Sequence, residues 1–186
     1  METKYRTFWR RYWAAVIDSC LLAPFAVVLI AIGSQETSQT VQIILHLIGS
    51  FFGVAYSVFL HGRFGQTLGK MVTRIKVVDL AEQPIGLRPA LWRDGPTIFF
   101  SMSTAFLGTV AAIDGVNPMS FDGIAATPPI LVFANLFWIL AEFVTMLTNK
   151  RRRAIHDWIA GTLVVRTKPS TNPAAGIIAV AGNPAG

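Results

Sequence analysis

Arg11 and Asp18 stand seven residues apart in an otherwise apolar stretch, so a helix puts them on one face, two turns and ~10.5 Å apart. An arginine near a helix end can snorkel to the headgroups, whereas an Asp carboxylate a third of the way into a bilayer cannot. Insertion costs about 2.5 to 3.5 kcal/mol for such a residue at the centre of a span. Two readings of Asp18 follow. Either it accepts hydrogen bonds from a neighbouring helix or from a basic residue such as Lys70 or Arg153 and pins the fold, or it is a proton or cation site assisted by His46 and Glu142. Glu142 lies near the end of its own apolar stretch, where a structural role costs less. His46 shares a helix face with Gly49, Gly53 and Ser57, and an imidazole there serves packing at least as readily as titration.

Other polar spacings exclude chemistry. Gly65-Gln-Thr-Leu-Gly69-Lys70 has three residues between its glycines and Met71 after the lysine, whereas a phosphate-binding Walker loop needs four and a Ser or Thr. Its glycines suit a tight turn, with Lys70 near lipid headgroups. His156 and Asp157 are adjacent, so on a helix they diverge and do not pair as in a hydrolytic triad. Neither a nucleophile elbow nor a zinc-protease signature is present. Cys20 is the single cysteine, which rules out an internal disulfide and a cysteine-built metal cluster. No catalytic, cofactor or metal site is expected.

The elements that carry these residues are four apolar stretches, roughly 13–32, 41–60, 96–113 and 127–147. Each is about as long as a helix crossing a ~30 Å hydrocarbon core. With 53% hydrophobic and 14% charged residues, the chain is far from a soluble composition of about 25% charged. The loops after the first and third stretches carry only Glu36, Asp114 and Asp122. With Asp18 and Glu142 inside the spans, all 16 basic residues and five acids fall on the other side, a local balance of +11. The positive-inside rule then places both termini in the cytoplasm. The first stretch is too long for a signal-peptide core and contains Asp18, so a retained helix is expected. The charges flank apolar spans instead of forming a basic face, which points to anionic headgroups as partner and away from nucleic acid.

Small residues at Gly49, Gly53 and Ser57, and at Thr104, Gly108 and Ala112, form stripes that admit a neighbouring helix. Arg74 to Val77 alternates as a half-buried strand does, and Leu163 to Val165 is a second β-prone run. The two runs are expected to lie together under the membrane. Ala154, Ile155, Trp158 and Ile159 share one helical face after Arg151 to Arg153, as an interfacial helix would. The loop from Asp114 to Pro129 reads as non-helical, and residues 169–186, rich in Pro, Ala and Gly, as a disordered tail beyond a membrane domain of residues 1–168.

Arg10-Arg11-Tyr-Trp-Ala-Ala-Val-Ile-Asp18, Gly65-Gln-Thr-Leu-Gly-Lys70 leading to Ile75-Lys-Val-Val-Asp79, and Ala154-Ile-His156-Asp157 through Gly161-Thr162 to Val165 together resemble the RDD family of small bacterial integral membrane proteins. The family is named for one Arg and two Asp, which by resemblance map to Arg11, ahead of Arg10, and to Asp18 and Asp157. The resemblance implies a multi-span inner-membrane protein, and some members of the family are linked to cation/proton exchange. The fold expected is an all-α, four-helix membrane protein with a small β-prone cytoplasmic element. The function expected is that of an accessory or scaffold subunit of a membrane complex, docking other membrane subunits. The alternative is a cation/proton or small-solute transporter that uses Asp18 and oligomerises through Gly49 and Gly53.

Overall fold

A computed structural model describes residues 3–35, 38–125 and 127–167. Among the described residues four helices are long and apolar enough to cross a membrane: α1 (Phe8–Gln35), α2 (Gln39–Phe64), α4 (Leu87–Ile113) and α6 (Pro129–Thr148). Shorter pieces intervene: α3 (Leu68–Val72), β1 (Ile75–Asp79), α5 (Phe121–Ala125), α7 (Ile155–Ile159) and β2 (Thr162–Arg166). At 26 to 28 residues, α1, α2 and α4 exceed a ~30 Å core by several residues, so their ends project past it. Apolar side chains of the four helices point outward, as Phe137 of α6 does at 75% exposure, because lipid and not a protein core is their solvent.

The driest packing lies outside the spans. Ile75, Val77, Ile85 and Val164 pack with Ala14 and Ala90, at the near ends of α1 and α4, in one buried cluster. The two β-prone runs lie together, as expected, and pair antiparallel, from Ile75 opposite Arg166 to Asp79 opposite Thr162. Gly65 caps α2 at φ 70°, and its N–H donates to the His61 carbonyl at 2.9 Å. A side chain there would press on the Val77 carbonyl at 2.8 Å, so both the turn and the strand beside it require glycine. The Arg166 guanidinium donates to the Arg6 carbonyl, which brings the two ends of the described chain to this same sheet end.

Among the spanning helices α2 and α4 pack most closely, and α1 lies against α2 and α3. The main partner of α6 is the short α7, so that helix stands apart from the other three over most of its length. At the far end the Asn117 side chain donates to the Gly33 carbonyl at 2.8 Å and ties that loop to α1.

The structure departs from expectation in three places. The third span starts at Leu87 and not near Pro96, because Gly95-Pro96 does not end the helix. Proline removes one N–H, which a membrane helix tolerates where neighbours meet the freed carbonyl. The loop expected to be non-helical contains α5, since Phe121–Ala125 closes one helical turn despite Gly123. The interfacial face is narrower than expected: Trp158 and Ile159 are exposed, but Ala154 is fully buried at the N-cap position of α7. The tail expected to be disordered lies outside the described residues.

Candidate functional site

Asp157 is 0% exposed and holds three elements together. Its Oδ2 accepts from Arg11 Nη1 of α1 at 2.6 Å and from the Ala154 backbone N–H at 3.0 Å. Its Oδ1 pairs with Arg93 of α4 and lies 3.4 Å from the Thr162 hydroxyl. Burial by itself raises a carboxyl pKa, but here the two guanidiniums outweigh it and hold Asp157 well below the usual carboxylate range. The Arg153 guanidinium donates to the Asp157 and Thr162 carbonyls, both at 3.0 Å, so it braces this turn from behind. Asp157 therefore caps α7, and its ionic partners come from α1 and α4.

Asp18 has a different environment. Its Oδ1 accepts from the Tyr56 hydroxyl and the Gly69 N–H, both at 2.7 Å, and its Oδ2 from the Thr67 hydroxyl at 2.5 Å. All three donors are neutral. Gly69 sits so close to α1 that a Cβ would overlap the Ala14 carbonyl and come within 2.9 Å of the Asp18 carboxyl. The Gly65–Lys70 segment is thus a clamp that grips Asp18 with one hydroxyl and one amide.

Two further ion relays flank it. Asp94 Oδ2 lies 3.1 Å from His61 Nδ1 and accepts from the Ser57 hydroxyl at 3.0 Å, and His61 Nε2 meets the Lys70 ammonium. Burial, reinforced by Arg93, pushes the Lys70 pKa down to about 7. Lys70 is only half-buried by surface area, and what it faces is the chamber described next. Glu142 of α6 binds His156 twice, through the backbone N–H at 3.0 Å and the ring Nδ1 at 2.6 Å. His156 Nε2 lies 3.6 Å from Asp157, closer than adjacent residues on a helix were expected to bring them but too far for a hydrogen bond. Burial lowers the His156 pKa, and Arg93 lowers it further.

These groups converge on a chamber of about 500 Å³ between α1, α2, α4 and α6, with Arg11, Asp18, Lys70, Arg93, Glu142 and His156 in its wall. It is open, since Ser19 and Thr97 in the wall are exposed. Ile139 is shared with an apolar crevice of about 380 Å³ between α4 and α6. That crevice in turn shares Thr104 and Thr127 with a hollow of about 200 Å³ that reaches Pro118 and Gly123 of the far loop. Among the described residues no cluster of three or more His, Cys, Asp or Glu forms a metal site.

A sequence model of the RDD family matches residues 5–161, which takes in the Arg11–Asp157–Arg93 triad, the Asp18 clamp and both relays. The chain belongs to the RDD family. Comparison with the curated proteins and with the solved structures finds no match. In this RDD protein the three residues that by resemblance give the family its name all lie at the sheet end of the bundle. Arg11 and Asp157 touch each other, while Asp18 is held separately, by the α2–α3 segment. Arg10 instead donates to the Thr73 carbonyl at 2.7 Å.

The remaining sequence candidates fall elsewhere. His46 Nε2 lies 3.2 Å from the Thr104 carbonyl and packs on Gly108, away from Asp18 and Glu142. Gly49 is exposed, with room for a Cβ that would lie 3.5 Å from Leu29 of α1, and Gly53 lines the chamber. Sequence reasoning missed Arg93, Asp94 and His61, because the first two were placed in a loop and His61 just past a span. A signal was available: Arg93, Thr97, Phe100 and Thr104 recur at helical spacing, and all four line the chamber or the crevice.

Proposed function

We propose that this protein is a carrier-type membrane transporter for a small solute, which binds in the chamber at the sheet end and passes along α6. The observation that carries this reading is the series of three hollows with shared walls, running from Asp18 and Glu142 to the far loop. Intramembrane ionisable groups facing a cavity mark solute and ion pathways by default. Asp18 is not itself the solute site in this reading, since three neutral donors occupy it. Its role is to seat the α2–α3 clamp. The loose attachment of α6 makes that helix the moving part.

The distribution of the 16 basic residues supports a bacterial inner-membrane protein with cytoplasmic termini and the chamber on the cytoplasmic side. In the full chain carrying Cys20→Ser and Thr97→Cys, reconstituted in oriented vesicles, an impermeant thiol reagent should label Thr97→Cys from either face. Labelling from one face alone rejects transport. The thin packing of α6 then favours the second reading, an accessory subunit whose partner helix completes the bundle.

A further inference from the structure

The chamber is unbalanced in its hydrogen-bonding capacity. Asp18 accepts three bonds, both oxygens of Asp157 are engaged, and Glu142 holds His156 twice. The donors are not all used. Among the described residues two buried side-chain nitrogens have no hydrogen-bond partner: Nε2 of His156, 3.6 Å from Asp157, and Nη2 of Arg11, a donor whose side chain is 8% exposed. The Lys70 ammonium directs one N–H to His61 and has two more. What the Arg11 and Lys70 donors call for is an acceptor, and a guanidinium beside an ammonium favours an anionic oxygen.

The other side of Ile139 has the opposite character. There Phe100 of α4 faces Leu131, Val132 and Leu136 of α6, with only Thr104, Thr127 and Asn135 polar. A soluble anion would satisfy the donors and leave this apolar surface uncovered. A molecule with an anionic head and a hydrocarbon chain satisfies both parts, and the bilayer around α4 and α6 supplies it. Basic pockets between spanning helices are recurrent places for anionic headgroups.

We propose that chamber and crevice together bind one anionic phospholipid from the surrounding bilayer. Its phosphate meets Arg11 Nη2 and Lys70, and an acyl chain runs past Ile139 along Phe100 and Leu136. This rests on the chamber as the ligand site of the proposed carrier and makes a bilayer lipid, in place of a water-soluble solute, the ligand that occupies it.

The test uses the full chain with Trp9, Trp13, Trp92 and Trp158 changed to Phe, leaving Trp138 in the chamber wall as reporter. In nanodiscs, lipid with brominated chains quenches Trp138 on contact. Brominated phosphatidylglycerol should reach half-quenching at about one tenth the fraction that brominated phosphatidylcholine needs, the worth of one charge-assisted contact. Lys70→Gln should remove that preference. Ile139→Phe, which narrows the junction and leaves every polar group in place, should reduce quenching by both lipids. Equal quenching by the two lipids in the parent overturns the proposal, as does full preference in both variants. Displacement by inorganic phosphate also overturns it, by reassigning the donors to a soluble anion. If lipid preference is absent while Thr97→Cys is labelled from both faces, this inference falls and the transport reading stands.

Discussion

Removing the carboxylate of Asp157 should damage this protein more than removing the whole ion cluster. Asp157→Ala leaves Arg11 and Arg93 as two cations in one buried site, with side chains 8% and 4% exposed and, among the described residues, no other carboxylate in direct contact. Deleting one partner of a buried ionic set costs about 3–5 kcal/mol, because the uncompensated charge remains. The lost cap on the Ala154 N–H adds roughly 1 kcal/mol. Replacing the set together, with Arg11→Met, Arg93→Met and Asp157→Leu, removes the charges along with their attraction and should cost far less. Unfolding free energies from denaturing-detergent titration of the purified chain compare the two variants. A loss below about 1 kcal/mol for Asp157→Ala, or an equal loss for single and triple changes, would refute the reasoning. The pH dependence has a definite sign. Since the folded-state pKa of Asp157 is depressed, its stabilisation is present above the unfolded carboxyl pKa of about 3.9 and is lost as pH falls below it. The parent and Asp157→Asn should therefore differ by a constant amount from neutral pH down to about 5.

Two further outcomes follow from the clamp and the relay. Gly69→Ala must push α3 off the Ala14 carbonyl and should cost about 2 kcal/mol or more in the same titration, whereas Gly53→Ala, with nothing within 4 Å of its Cβ, should be nearly neutral; equal effects would reject the clamp. In dimethyl-lysine NMR the Lys70 signal should titrate with a midpoint of about 7, well below the other lysines, and an anionic ligand in the chamber should raise it; a midpoint near the ordinary lysine value would show that the amine is not desolvated.

The architecture was legible where one physical rule governs many residues. Hydropathy found four spans, because each backbone crossing a bilayer must satisfy itself within a helix of fixed length. Alternation marked the first strand and β-propensity the second, and the two do lie together; their antiparallel register, with Val77 opposite Val164, is visible only in the structure. The site was legible only in part. Arg11, Asp18 and Asp157 stood out because charge in apolar surroundings is costly, but their partners did not. Arg93 hid in a segment whose proline suggested a loop, and nothing in one dimension says that a guanidinium at position 93 shares a carboxylate with position 11. Tyr56 and Thr67, which satisfy Asp18, are unremarkable in sequence because neutral hydroxyls carry no charge signature. The Gly49 and Gly53 stripe is ambiguous for a related reason: small residues mark a close approach without telling whether the neighbour is the same chain, a partner or a cavity.

The pairing of the last strand with the first imposes an order of events during synthesis. β2 must emerge before β1 has a neighbour, and before the Arg166 guanidinium can fasten onto the Arg6 carbonyl, 160 residues away. By then all four rods have been threaded into lipid. The sheet end acts as a latch thrown after insertion, and truncation just ahead of Thr162 should yield chains that insert normally yet fail to lock.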